Sequence, residues 1–293
     1  MTPLAEYISK YVLEGSAIFS DDTTVPMQAK GRKKTQTARF WNYTRDERPW
    51  ASDAPPATAY EFTPDRKGQH PIDYLKNYKG FMHADGFSGY KQLYETGEII
   101  EVACMAHARR KFADIIKVAQ ASKVKSPIAE EIVLRIATLY EVEKQARGKP
   151  PKERVALRQQ YSKHVFDDLE TYMKQQLGYI SGKTALAEAI RYTLKRMIKV
   201  RCYLEHGNLE LDNNTAERGM RGIAIGRKNW MFVGSEAGGK TAATLYTLIE
   251  TAKLNKVNSQ EWLTWVLDNI KDHNIQKLDQ LMPWNFKTVT MDM

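Results

Sequence analysis

The sequence predicts an α/β protein: a mixed sheet flanked by helices, with a large helical insertion and a helical C-terminal tail. Three observations carry this. Between residues 16 and 103, short runs rich in β-branched and aromatic residues are first adjacent and then alternate with helical patterns, as a meander leading into parallel crossovers does. From 106 to 205 the strand signals vanish and apolar residues recur at helical spacing. The 293 residues suffice for a large buried core.

Taken in order, residues 4–14 read as a short amphipathic helix with Leu4, Ile8, Tyr11 and Val12 on one side, ended by Gly15. SAIFSDDTTVPMQ is the first strand, GRKKTQT a basic turn and ARFWNYT an aromatic second strand. After the proline-rich RDERPWASDAPP, ATAYEFT alternates at period two as a third strand. HPIDYLKNY reads as a helix, GFMHA as a strand, FSGYKQLYE as a helix and EIIEVAC as the fifth strand. Ile128, Ile132, Ile136 and Leu139 mark one helical face beyond it, and Leu186, Ile190, Leu194 and Met197 another. Between them KQARGKPPKERVALRQQYSKH is charged and broken at Pro150 and Pro151. A helix then starts near Asn213 or Asn214, NWMFV reads as a strand, a helix runs from about Lys240 to Leu254, and SQEWLTWVLDNI is a last helix. The division expected is a linker helix 1–15, a core in two parts at 16–118 and 206–255, a helical insertion 119–205 and a helical tail 256–293.

No run of about 18 apolar residues exists, so a membrane-spanning helix is not expected. The N-terminus lacks the basic start and apolar stretch of a secretory signal. Two cysteines make no disulfide framework and suit a reducing cytosol. A net charge of +9 favours a polyanionic partner, nucleic acid first.

Residues 234–241, GSEAGGKT, satisfy the phosphate-loop pattern G-x-x-x-x-G-K-[ST]. The surroundings argue against an NTPase. One short strand-like run precedes it, and the residues after it read as helix, with no apolar strand ending in a metal-binding aspartate. The string reads as a glycine turn capping the next helix, or as a turn whose N–H groups and Lys240 touch a DNA phosphate.

Three acids stand out by position. Asp21, beside Asp22, lies within the first strand; Asp85 ends GFMHA; Glu217 lies in the first turn of the helix opened by DNN. If the first and fourth strands are neighbours, Asp21 and Asp85 meet side by side and a later helix brings Glu217 over them. Such a set suits two Mg²⁺ ions, with Mn²⁺ able to substitute, for phosphodiester chemistry. Period two sends Asp21 and Asp22 to opposite faces, so one of them at most is a ligand. Each acid also has a structural reading: Asp85-Gly86 as a turn pair, Asn214 to Glu217 as a capping box, Glu217 paired with Arg221.

Arg109, Arg110 and Lys111 beside His107, and Arg218, Arg221, Arg227, Lys228 and Trp230 after Glu217, flank these acids with groups that suit phosphate contact and base stacking. Cys104-x-x-His107 has zinc spacing, but its sequence partners, Cys202 and His206, lie about 95 residues on, a layout that disfavours a structural zinc.

These segments together resemble the transposases of the insertion sequence 66 family. SDDTTVP, HADGFSGY, CMAHARRKF and the run from LDNNTAER to ETAKLN carry the resemblance, which extends from about residue 4 to 287. It implies an RNase H-like core and a DDE transposase that cuts DNA and transfers strands with Mg²⁺. Asp21, Asp85 and Glu217 would be its three acids, with the helical insertion between the second and third. It also implies DNA ends and target as partners, action as a homo-oligomer, accessory proteins of the same element and a cytoplasmic, nucleoid-associated location. Members of the family carry a coiled-coil and DNA-binding region ahead of the core, whereas this sequence starts just before the core; the expectation is therefore that specific recognition of transposon ends, and autonomous transposition with it, is absent. The alternatives are a DNA-binding remnant that does not cut and an RNase H-like nuclease that does not join.

Overall fold

The computed structural model describes residues 1–29, 31 and 34–286. Part of the basic turn at 31–37 and the end of the tail at 256–293 lie outside the described residues. Helix α1 (Thr2–Leu13) leads into strands β1 (Ala17–Met27), β2 (Gln36–Arg45) and β3 (Ala57–Thr63). Helix α2 (Gln69–Leu75), strand β4 (Gly80–Ala84), helix α3 (Lys91–Glu95) and strand β5 (Ile99–Ala103) come after them. The sheet order is β3-β2-β1-β4-β5. β1, β2 and β3 form an antiparallel meander, and β1, β4 and β5 run parallel. This is the RNase H-like arrangement the sequence implied.

Helices α4 (Met105–Ala121), α5 (Pro127–Ala146), α6 (Pro151–Leu157), α7 (Lys163–Tyr179) and α8 (Ala185–Val200) come next. The last three are α9 (Asn214–Trp230), α10 (Glu236–Leu254) and α11 (Ser259–Asn269). The apolar spacing read from the sequence is the spacing that is buried: Ile132, Ile136 and Leu139 of α5 and Ile190 and Met197 of α8 have essentially no exposure.

Alternation along β1 sorts the core. Ala17 and Phe19 face α4, α5, α7 and α8 in one apolar group. Val25 and Met27, on the same face, meet Met220 and Ile223 of α9. Ile18, between them, faces α1, α10 and α11 on the other side. His83 of β4 is fully buried and stacks on Phe19, centroids 4.4 Å apart. Burial holds its imidazole down at about 3, so it is neutral in the fold.

β3 is an edge strand, and α10 covers that edge. Thr251 Oγ1 accepts from Thr58 N at 3.1 Å and donates to Thr58 O at 3.0 Å; Thr247 Oγ1 accepts from Tyr60 N at 2.9 Å. One turn of threonines thus pairs backbone groups that a bare edge would offer to another chain.

Two expectations differ at the end of α9. The helix continues through Asn229 and Trp230, so the strand read at NWMFV shrinks to one parallel bridge, Val233 to Met27. α10 begins at Glu236, four residues before Lys240, because Ser235 caps it by accepting from Gly238 N at 3.1 Å. GSEAGGKT is therefore mostly helix. Gly238 and Gly239 lie within its first turns, and Lys240 pairs with Glu236 at 2.8 Å.

Candidate metal and nucleic-acid site

Register brings the first two acids level. Phe19 of β1 pairs with His83 of β4; two residues further along each chain come Asp21 and Asp85. Asp85 lies just past the end of its strand, where its Oδ1 accepts from Phe87 N at 2.9 Å across Gly86, whose φ is +87°. This side-chain-closed turn aims the carboxylate back over the sheet end. Carboxylate oxygens of Asp21, Asp22 and Asp85 all lie within 4.8 Å of one another.

The two adjacent aspartates have different surroundings. Asp22, whose side chain is 1% exposed, receives Arg39 Nη1 at 2.7 Å and Arg66 Nη2 at 2.6 Å. Arg66 also lies 3.8 Å from Asp85 Oδ2, and its guanidinium sits 4.1 Å over the Phe87 ring. Among the described residues Asp21 has no such cation, and its Oδ1 accepts from Asp22 N at 2.8 Å. Burial pushes its carboxyl up to about 7; the Asp22 N–H opposes this, and the charges of Asp85, Asp22 and Glu217 add to it.

Glu217 arrives on α9, which is seated closely on the sheet. Gly219 lies against Asn42, where a side chain would collide with the Asn42 amide, and Tyr60 OH donates to Gly219 O at 2.8 Å. Arg227 Nη1 donates to Thr24 O and reaches the Thr24 and Thr23 hydroxyls. The segment before the helix is tied down too: Asn213 Nδ2 donates to Ser20 O at 2.8 Å and Asn213 N to Cys104 Sγ at 3.2 Å. Asp212, not a box from Asn214 to Glu217, closes the entry, accepting from Asn214 N at 3.0 Å. Glu217 turns to α4 instead, with Oε1 3.7 Å from His107 Nδ1 and Oε2 3.4 Å from Arg110. Its charge is felt at Asp21, but its oxygens group with Cys104 Sγ and His107 rather than with the aspartates.

Of the basic residues singled out in the sequence, Arg109, Arg110, Lys111, Arg218, Arg221 and Lys228 are exposed. Lys111 lies 4.4 Å over the Tyr192 ring. Arg227 is occupied by β1, and Trp230 is half-buried with Phe40, Phe62 and Tyr246. Sequence reading missed Arg39 and Arg66, and also a cavity of about 280 Å³ beside the start of α9, lined in part by Arg48, Arg147, Thr215 and Arg218. The only sequence hint for Arg66 is its place in a polar turn, PDRKG, just past a strand. Cys202 and His206 do not join Cys104 and His107: the Cys202 thiol donates to Lys199 O, and His206 packs on Phe81. Among the described residues no helix is long and apolar enough to cross a membrane.

The family described as "Transposase IS66 family" matches residues 1–241, and the "IS66 C-terminal element" matches 247–284. Two similar proteins of Sinorhizobium fredii carry the names "Uncharacterized protein y4hP" and "Uncharacterized protein y4qI". The first is 39% identical over 298 residues, covering 98% of this chain and 54% of its own length. The second is 39% identical over 292 residues, covering 97% of this chain and 53% of its own. "Uncharacterized protein YuaK" of Escherichia coli is 32% identical over 101 residues, 34% of this chain and 90% of its own length. The chain thus spans about half the length of the two Sinorhizobium relatives.

Proposed function

We propose a function from one premise: the chain belongs to the IS66 transposase family. Within the transposase role we assign it metal-dependent DNA cleavage and strand transfer at the ends of an insertion sequence. The observation that carries this is the meeting of Asp21 and Asp85, level on adjacent parallel strands; Glu217, turned to α4, adds the smallest of the influences named on the Asp21 carboxyl.

The acids fit a divalent cation. Their donors are all oxygen, which suits Mg²⁺ or Mn²⁺, and Asp21 is a half-buried carboxyl with no cation of its own among the described residues. Asp21 and Asp85 would hold the ions, with Glu217 as third acid; bound there, they would activate the attacking oxygen and stabilise the leaving one. Asp22 is the positioning member, its charge already matched by Arg39 and Arg66. Arg109, Arg110 and Lys111 on α4 and Arg218, Arg221 and Lys228 on α9 would hold backbone phosphates on either side. Arg227 and Trp230 complete the basic and aromatic set at the far end of α9. Assembly as a homo-oligomer on DNA and accessory proteins of the same element belong to the same reading.

The test is incubation of the full chain with duplexes carrying the element's ends, under Mg²⁺ or Mn²⁺. Nicks leaving 3′-hydroxyls, followed by joined products, are expected, and Asp85→Asn or Glu217→Gln should abolish both. Salt-sensitive binding without cutting under either metal would make the chain a DNA-binding remnant. Cutting without joining would make it a nuclease.

A further inference from the structure

Beside the aspartates lies a second group of different chemistry. Cys104 holds the position just before α4, His107 sits in its first turn and Glu217 in the first turn of α9; their Sγ, ring nitrogen and carboxylate oxygen lie within 4.8 Å of one another. We propose that Cys104, His107 and Glu217 form a binding site for a divalent transition metal of the zinc or cobalt class, distinct from the oxygen-only aspartate cluster.

Two polar atoms point to a ligand. His107 Nδ1 and Glu217 Oε1 are both shielded from solvent, and neither has a hydrogen-bond partner among the described residues. They face each other at 3.7 Å, too far for a hydrogen bond. Buried polar atoms are ordinarily satisfied, and a cation between these two would satisfy both. The spacing favours a tetrahedral ion: ligands about 2.1 Å from one metal stand about 3.4 Å apart on a tetrahedron but about 3 Å apart on adjacent octahedral positions. The donors agree, since sulfur and imidazole select zinc-class ions over magnesium.

The surroundings prepare each donor. Asn213 N donates to Cys104 Sγ at 3.2 Å, the kind of outer contact that orients a ligand sulfur. Arg110 takes Glu217 Oε2 and leaves Oε1 turned to His107. His107 and Glu217 are each about a quarter exposed (25% and 28%), which leaves an open coordination position on the solvent side. The zinc spacing visible in CMAH thus finds its third partner in Glu217, not in Cys202 or His206.

This site shares Glu217 with the proposed catalytic set but needs neither aspartate, so the two readings fail separately. The test is titration of the full, metal-free chain with Co²⁺ alone, reading thiolate-to-cobalt charge transfer in the near ultraviolet. The chain has two cysteines, so the assignment is clean: Cys202→Ala and Asp85→Asn should keep the band, and Cys104→Ala should remove it. His107→Ala should weaken Co²⁺ binding at least tenfold. Absence of the band at saturating Co²⁺, or its survival in Cys104→Ala, overturns the proposal. Should Cys104→Ala fail to fold by circular dichroism, His107→Ala decides, and unchanged affinity there overturns it.

Discussion

Asp21 and Asp22 are sequence neighbours with opposite electrostatics. Alternation sends them to opposite faces, and that much was legible in SDDT. Which one is neutralised was not legible, because Arg39 arrives through the β1–β2 register and Arg66 from the turn after β3. The consequence is measurable in the metal-free chain. The Asp21 carboxyl rises from 3.8 to about 7, so folding takes up a proton between those values. A raised carboxyl contributes stability that is complete below about pH 4 and lost as pH climbs through 7. About three pH units correspond to at most about 4 kcal/mol. Asp21→Asn should therefore raise the melting temperature in chelator at pH 8 and change it little at pH 4. A melting temperature at pH 8 that stays put or falls would contradict this. Asp22→Asn should act in the opposite sense at pH 8, costing about 1–3 kcal/mol, because it leaves two arginines facing a neutral amide. A variant as stable as the parent in urea titrations would count against the Arg39 and Arg66 pairing.

At the scale of single elements, the strands and most helices were legible because their periods differ and their breaks carry glycine or proline. The region from α9 to α10 was the exception. NWMFV has strand composition, yet Asn229 and Trp230 complete a helix because Trp230 packs beside Gly226 and Tyr246. GSEAGGKT has loop composition, yet Ser235 caps a helix whose second glycine is required by packing. A methyl group on Gly239 would collide with the buried Phe62 ring, whereas one on Gly238 meets only the Ser235 hydroxyl at 3.4 Å and Val233 at 3.9 Å. Alanine improves helix propensity by about 0.5–1 kcal/mol at either position, while overpacking costs about 1–3 kcal/mol. Gly238→Ala should thus be neutral or stabilising, and Gly239→Ala destabilising by about 1–2 kcal/mol. Equal effects from the two, read by chemical denaturation, would break the argument. Lys240→Ala should leave stability within about 0.5 kcal/mol, since its partner is the exposed Glu236.

Across the whole molecule, the helical stretch after β5 was visible as a change of period, but the means of its attachment was not. KQARGKPPKERVALRQQYSKH is charged and broken at Pro150 and Pro151, and charged residues of this kind are mostly exposed in folded proteins. Instead Arg154 and Arg158 have no exposure at all. Their partners are Glu143, just before the run on α5, and Glu210, 56 residues beyond Arg154, and no helical spacing within the run pairs them. Arg158 forks onto Glu143 at 2.7 and 2.6 Å and donates to the carbonyls of Tyr203, His206 and Leu209. Arg154 binds Glu210 at 2.6 Å and Leu209 O at 2.8 Å. These bonds fasten α5 and α6 to residues 203–210, the segment that runs directly into α9 and Glu217. The network therefore sets where α9 begins and with it the position of Glu217, the proposed third acid. Removing one member leaves a buried charge without its partner, which costs about 3–5 kcal/mol. Arg158→Met should cost that much and, under the proposed function, lower DNA cleavage by misplacing Glu217, and Glu143→Met should cost about the same in stability. The double substitution removes both charges together, so its cost should fall short of the sum by at least about 1 kcal/mol. Urea unfolding of the four proteins measures that coupling. Additivity within about 0.5 kcal/mol would mean that Arg158 and Glu143 act independently, and that the carbonyls, not the ion pair, fasten the helices to the approach of α9.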